Sequence, residues 1–279
     1  MLDVLLDTLL DSLKILPFLF LAFLVIELIE HKAGEKTLEL INRSGRFGPL
    51  IGSLLGVIPQ CGFSAATSNL YAGGVITKGT LIAVFLSTSD EMLPILISEK
   101  APAALILKIL AVKVVVGIIA GFIIDIFLGG RVRKAHIGDL CNDADCHCEE
   151  HLLLSVLKHT AQIFVFVFVV SLALNVAVYF LGEERLSAFI LNRPVVGEVL
   201  SGVIGLIPNC AASVVITQLY LQGGMSAGAL LSGLLVNSGV GILILFRMNR
   251  NLKDNLSSLV MLYAFGVAFG IIAGLLSII

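Results

Sequence analysis

A short apolar motif built around a proline, an amide and a cysteine occurs twice in this chain. Residues 56–62 read Gly-Val-Ile-Pro-Gln-Cys-Gly, and residues 205–211 read Gly-Leu-Ile-Pro-Asn-Cys-Ala. Pro59 and Pro208 lie 149 positions apart (208 − 59 = 149), and several tyrosines, glycines and serines repeat at the same offset. The sequence therefore predicts an internal duplication, with an apolar segment interrupted at the same place in each half. Paired interruptions of this kind are the best sequence indicator of a transporter binding site.

The composition is that of a membrane protein. Of the 279 residues, 58% are hydrophobic and only 14% are charged, and the mean hydropathy is +1.04. Soluble domains carry about 25% charged residues. Apolar runs near or above the ~20 residues that cross a bilayer extend over 13–30, 105–128, 160–181 and 259–279. A lipid bilayer is therefore the expected partner, and the net charge of −2 gives no reason to expect nucleic acid.

The interrupted segment allows two topologies. Each arm beside Pro59 has about 11 residues, or about 16 Å of helix, which is half the hydrocarbon thickness. The segment is therefore either one kinked span or a hairpin that returns to the side from which it entered. The hairpin places most of the lysines and arginines outside the spans on one side. The positive-inside rule therefore favours the hairpin and makes that side cytoplasmic.

The hairpin determines the predicted fold. Each half then crosses the membrane an odd number of times, so the second half enters with the opposite orientation. We expect an all-α, polytopic membrane protein, an inverted repeat with a re-entrant helical hairpin in each half and ten membrane segments in all. The predicted domains are a first membrane repeat over 1–128, a cytoplasmic Cys/His-rich connection over 129–158 and a second membrane repeat over 159–279.

Polar residues beside the breaks form the candidate substrate site. Non-helical backbone at membrane depth is tolerated only where protein or a water-filled cavity surrounds it. An inverted repeat brings the two breaks together near the midplane. A second polar break follows in each half, at 87–91 and at 237–238. The predicted substrate-binding residues are Gln60, Cys61, Ser64, Ser87, Thr88, Ser89, Asp90, Glu91, Asn209, Cys210, Ser213, Asn237 and Ser238.

Two acidic residues, Asp90 and Glu91, distinguish the first half from the second. An ionisable group deep in an apolar run is expensive and indicates a functional site. At the positions that match these acids the second half has Gly239 and Val240, so the site is symmetric in shape and asymmetric in charge, which suits a cation. The thiols serve as ligands if the metal is soft, and otherwise pack as small hydrophobes. If the span boundary is misplaced, the acids are loop-end residues instead. The predicted metal ligands are Asp90, Glu91, Cys61 and Cys210.

The apolar run 105–128 carries two further patterns. Lys108 and Lys113 lie inside it, and we expect each to snorkel or to pair with an acid. Small residues also recur four positions apart, which predicts close helix packing. These residues are Gly117, Gly121, Gly270 and Gly274.

The connection between the halves is a second candidate metal site. It contains several cysteines and histidines, with acidic residues among them. Thiolate and imidazole groups suit Zn²⁺ and Cu(I). Their spacing matches no standard closed zinc site, so a disordered polar linker is the alternative. Such a loop could gather metal before export, sense it or bind it incidentally. The accessory ligands are His136, Cys141, Cys146, His147, Cys148 and His151.

Three blocks of the sequence resemble a known family. They are Gly-Val-Ile-Pro-Gln-Cys-Gly-Phe-Ser at 56–64, Ser-Thr-Ser-Asp-Glu-Met-Leu-Pro at 87–94 and Gly-Leu-Ile-Pro-Asn-Cys at 205–210. With them the chain resembles the ten-helix heavy-metal exporter family, whose members are commonly labelled manganese transporters or arsenic efflux proteins. The resemblance extends over nearly the whole chain and implies a multi-pass exporter of a prokaryotic plasma membrane.

These features together predict a secondary transporter that exports a divalent metal ion, with Mn²⁺ as a candidate, by alternating access with proton coupling. No nucleotide-binding motif is present, which favours coupling to an ion gradient. The alternatives are an exporter of an anionic or small-metabolite substrate and a membrane metal sensor without transport. No nucleophile–base pairing stands out, so we expect neither enzymatic activity nor a cofactor. The oligomeric state is left open, with a homo-oligomer as one option.

Overall fold

The computed structural model describes residues 47–58, 61–89, 92–128 and 195–276, with isolated positions in 13–24 and 157–172. Every regular element in these ranges is a helix, as predicted. In the first half they are α1 Gly48–Gly56, α2 Cys61–Ala72, α3 Lys78–Ser87, α4 Met92–Ser98 and α5 Ala103–Leu128. In the second half they are α6 Val196–Gly205, α7 Cys210–Leu221, α8 Ala227–Val236, α9 Gly241–Met248 and α10 Leu252–Leu275.

The helices end where the sequence places its breaks. α1 ends at Gly56 and α2 begins at Cys61, while α6 ends at Gly205 and α7 begins at Cys210. The second breaks separate α3 from α4 and α8 from α9. All four predicted interruptions are therefore confirmed, and helices α6 to α10 repeat the order and the approximate lengths of α1 to α5. The predicted cytoplasmic connection and the outer boundaries of the two repeats lie outside the described residues.

The turns that follow α2 and α7 have the same pattern of backbone hydrogen bonds. At the end of α2, the amide of Gly74 donates to Tyr71 and the amide of Val75 donates to Leu70. At the end of α7, the amide of Gly223 donates to Tyr220 and that of Gly224 to Leu219. Gly74 and Gly223 both have a positive φ angle, 69° and 75° respectively. A Schellman motif requires a left-handed residue at this position, which explains why the repeat keeps glycine there.

Small residues allow the long helices to pack closely. A Cβ added at Gly117 on α5 would meet Ser53 on α1 and the backbone of Ala83 on α3. In the second half, a Cβ added at Gly270 on α10 would meet the backbone of Ser232 on α8. Helices α1, α3 and α5 thus form one tight layer, and α6, α8 and α10 form another. The predicted role of the glycine pattern is confirmed.

These contacts also give the directions of the helices in the first half. Gly48 lies against Thr80 and Gly56 lies against Ser87, so α1 and α3 run parallel. Gly121 lies against Gly79, whereas the earlier Gly117 lies against the later Ala83, so α5 runs antiparallel to α3. Only the short turn 73–77 joins α2 to α3. The end of α2 therefore lies at the level where α1 begins.

Four stretches of the described chain are long and apolar enough to cross a bilayer. They are Lys78–Ser98, Ala103–Leu128, Ala227–Met248 and Leu252–Leu275. The first and third are largely buried within the protein, whereas the second and fourth expose most of their surface. The interrupted pairs α3–α4 and α8–α9 therefore form the centre, and α5 and α10 flank it. The prediction of an all-helical, multi-pass membrane protein is confirmed.

A polar cluster joins the two halves at one end of the helices. Asp254, at the start of α10, accepts hydrogen bonds from the Tyr71 hydroxyl at 2.8 Å and from Asn249 at 2.8 Å. Lys78, at the start of α3, lies 3.1 Å from the same carboxylate and also donates to Ser257. We call Tyr71, Lys78, Asn249 and Asp254 the inter-half clasp.

Candidate substrate site

Four of the predicted site residues converge on one gap between the halves. Thr88 and Ser89 come from the break after α3, Asn237 comes from the break after α8, and Ser213 lies on α7. Met92, Lys113 and Leu234 complete the described lining. The duplication thus brings two separate interruptions, about 150 residues apart in sequence, to a single place.

The polar groups at the gap hold the ends of the broken helices. Ser89 donates to the carbonyl of Val57, so the break after α3 is tied to the break after α1. Thr88 donates its hydroxyl to the Val84 carbonyl at 2.7 Å, an oxygen that also accepts from the Thr88 backbone amide. Asn237 accepts from the amide of Gly239 at 3.0 Å. The side-chain NH₂ of Asn237 has no hydrogen-bond partner among the described residues.

Four other predicted residues are buried and are not among the described residues that line the gap. Ser64 on α2 is fully buried, and its backbone approaches Gly241 at the start of α9. Ser87 donates back into its own helix, to the Val84 carbonyl. Asn209 and Ser238 are also buried, at 6% and 1% exposure. Of the predicted residues that the structure describes with their side chains, Thr88, Ser89, Ser213 and Asn237 line the gap.

The predicted metal ligands fall largely outside the described part of the chain. Gln60, Asp90 and Glu91 lie outside it, and Cys61 and Cys210 are described as helix positions without their side chains. In the described ranges, no group of three or more His, Cys, Asp or Glu residues could hold a metal ion. The accessory ligands of the 129–158 connection also lie outside the described ranges. The metal-ligand assignments therefore stay predictions.

Lys113 is a site residue that the sequence argument missed. Its side chain is 1% exposed, and its Nζ donates to the carbonyl of Leu234 at 2.6 Å. It therefore does not snorkel to the membrane surface. Its position in the sequence could have indicated burial. Lys113 lies ten residues beyond the start of a 26-residue helix, which is about 15 Å from that end at 1.5 Å per residue. Lys108 in the same helix is exposed, which fits the snorkelling expectation.

Asn69 is a second buried polar residue that composition alone did not reveal. It lies on α2, is fully buried, and neither atom of its amide has a hydrogen-bond partner among the described residues. The neighbouring Ser68 donates to the Gly241 carbonyl at 2.7 Å and so joins α2 to α9 of the other half. Polar groups therefore also lie at the interface between α2 and α9.

The gap is closed in this conformation. Its empty volume is about 160 Å³, yet no part of it, as bounded by the described side chains, is wide enough for a water molecule. Hydroxyl and amide oxygens are the chemical groups that the described lining offers, together with one ammonium group.

Comparison with known proteins identifies the family. No curated protein and no solved structure matches the chain. One protein family, described as "Putative, 10TM heavy-metal exporter", matches residues 1–152 and 132–251, which together cover well over half of the 279 residues. The match agrees with the multi-pass helical architecture. The chain belongs to the ten-transmembrane heavy-metal exporter family.

Proposed function

We propose that this protein is a secondary transporter that exports a divalent metal ion, with Mn²⁺ as the candidate cargo, by alternating access coupled to protons. Membership in the heavy-metal exporter family supports metal as the cargo in general. The observation that carries the proposal is the gap where polar residues at the helix breaks of both halves converge. Broken spans that meet around a polar centre are the usual construction of a secondary-transporter site.

The proposal includes an inverted repeat, and two contacts support it. Lys78 at the start of α3 reaches Asp254 at the start of α10, so these two helices begin at the same end of the molecule. α5, the counterpart of α10, runs antiparallel to α3 and begins at the opposite end. These contacts support opposite directions for the matching helices α5 and α10. This relation allows rocking of one half against the other to open the gap alternately to each side.

The charge for a cation would come from Asp90 and Glu91. Both follow directly after Ser89, whose hydroxyl lines the gap. Carboxylate, hydroxyl and amide oxygens are ligands that Mn²⁺ accepts well, whereas thiolates from Cys61 and Cys210 would shift the preference towards Zn²⁺ or thiophilic arsenic species. Protons exchanging with the same carboxylates would couple export to the proton gradient. We place the protein in a prokaryotic plasma membrane, with the 129–158 connection on the cytoplasmic side.

Flux into everted membrane vesicles tests the proposal. Mn²⁺ uptake driven by an imposed proton gradient is expected for the wild type. It should fall at least tenfold in Asp90→Asn and in Glu91→Gln, because each change removes a charge that would hold the ion. Glu99→Gln is the matched control, since Glu99 is an exposed carboxylate eight residues further along the same interrupted span. Metal-independent flux of an anion, with no Mn²⁺ uptake, would refute the proposal.

An anionic cargo is the second candidate, and Lys113 is the observation that favours it. A buried ammonium group faces the gap, and α2 and α7 both begin at the breaks, where helix N-termini favour anions. The same vesicles loaded with arsenate or phosphate distinguish this candidate from metal export. Deleting 141–151 tests the metal-sensor alternative, which predicts loss of function on deletion and no effect of Asp90→Asn.

A further inference from the structure

The gap contains a buried lysine to which the proposed metal site gives no role. Lys113 is 1% exposed and lies near the middle of the 26-residue α5, far from either membrane surface. An ionisable group at such a depth is costly and is kept where it has a function. Its charge shares the gap with the oxygen atoms of Thr88, Ser89 and Asn237. A metal ion bound to those oxygens would therefore meet a cation of the protein itself.

One contact of Lys113 has a structural explanation. Helix α8 ends at Val236, so the carbonyl of Leu234 has no amide partner four residues later within the helix. Lys113, from the opposite half, donates a hydrogen bond to this oxygen, with Nζ at 2.6 Å. The C-terminal end of a helix also carries partial negative charge, which attracts a cation. A neutral donor could make the same hydrogen bond, so capping alone does not require a charge.

The charge is present in only one half. The repeated glycines pair 117 with 270 and 121 with 274, an offset of 153, which places Gly266 opposite Lys113. A Cβ added at Gly266 would meet the backbone nitrogen and the side chain of Val236, so the second half has no room for a side chain there. The gap therefore contains one ammonium group from the first half and none from the equivalent position of the second.

We propose that Lys113 is a tethered cation that competes with the metal cargo for the oxygen atoms of the gap. With no metal bound, its ammonium group is held at the Leu234 carbonyl and supplies positive charge to the gap, and a divalent cation that enters displaces it from that position. Lys113 is thus a specificity-determining residue, because only a cargo with more charge than one ammonium displaces it effectively. This inference rests on the proposed function, since it takes a divalent metal ion as the cargo.

The test separates the charge of Lys113 from its hydrogen bond. Lys113→Gln keeps a donor for the Leu234 carbonyl and removes the charge. Lys113→Arg keeps both, and Lys113→Met removes both. Mn²⁺ affinity is measured on the purified full-length protein by equilibrium dialysis, and Mn²⁺ efflux is measured in vesicles. Lys108→Gln is the matched control, because Lys108 is an exposed lysine on the same helix.

We expect about tenfold tighter Mn²⁺ binding in Lys113→Gln and in Lys113→Met, with slower turnover, because the emptied site is no longer compensated. Lys113→Arg and Lys108→Gln should bind Mn²⁺ like the wild type. Unchanged affinity in Lys113→Gln, with lower stability in Lys113→Met, would reduce Lys113 to a helix cap and overturn the inference. Weaker arsenate binding in Lys113→Gln would overturn it in favour of an anion site. A wild type that neither binds nor transports Mn²⁺ would overturn the proposed function as well.

Discussion

The inter-half clasp should be a main determinant of how firmly the two halves are held together. Asp254 accepts hydrogen bonds from Tyr71, Lys78 and Asn249, at 2.8, 3.1 and 2.8 Å. The Lys78 and Asp254 side chains are only 12% and 13% exposed, so solvent screens this pair far less than a surface ion pair. Because the clasp joins α2 and α3 of one half to α10 of the other, its loss should weaken contact between the halves.

The size of the effect follows from the number of bonds. A hydrogen bond to a charged group contributes about 1.5–3 kcal/mol, and breaking a buried ion pair costs about 3–5 kcal/mol. We expect Asp254→Ala to lower the free energy of unfolding by about 3 kcal/mol, at the lower end because the pair keeps some exposure. Tyr71→Phe removes one of the three bonds and should cost about 1.5 kcal/mol.

Reversible unfolding of the purified protein in mixed detergent micelles measures these changes. Lys253→Ala is the control, because Lys253 is adjacent in sequence and exposed. Tyr71→Phe and Lys78→Met should be non-additive when combined, since both act through the same carboxylate. If Asp254→Ala is no less stable than Lys253→Ala, the clasp does not hold the halves together and the reasoning is wrong.

Two further predictions concern the packing within each half. Gly270→Ala should cost about 1–3 kcal/mol, because the new methyl group would press on the backbone of Ser232, and a thermal unfolding scan should detect the loss. Ala268→Gly, at an exposed position of the same helix, serves for comparison and should cost no more than about 1 kcal/mol. Asp125→Ala should cost about 1–2 kcal/mol, because Asp125 accepts hydrogen bonds from the Thr77 hydroxyl and the Gly79 amide at the start of α3. Hydrogen exchange should then be faster in the first turn of α3 than in that of α8, and equal rates would contradict this role.

Local residue types made the helix breaks predictable. Proline lacks an amide hydrogen and clashes with the preceding turn, so Pro208 disfavours the continuation of the helix that precedes it. Polar runs such as 87–91 and 237–238 interrupt apolar segments for a similarly local reason. The caps at Thr77 and Ser226 are local as well, since each hydroxyl accepts from the amide three residues later. The structure places helix ends at all of these positions.

The tertiary contacts were less accessible to sequence reasoning. Lys113 has the pattern of a snorkelling lysine when α5 is considered alone, and only the approach of α8 supplies the carbonyl that holds it. Two partners of Asp254, Tyr71 and Lys78, lie more than 170 residues earlier in the chain, and no local pattern joins them to it. Ser64 and Ser87 were predicted to bind substrate, and the structure buries both without placing them among the described residues that line the gap.

The sequence by itself determined the membrane environment, the duplication and the positions of the breaks. These properties depend on the hydrophobicity of about twenty neighbouring residues and on backbone chemistry within one helical turn. The tertiary structure decided which polar groups share the gap, that a lysine of one half caps a helix of the other, and that the gap is closed. Those outcomes depend on the packing of distant helices, whose glycine and serine contacts fix their relative positions only once the whole bundle has assembled.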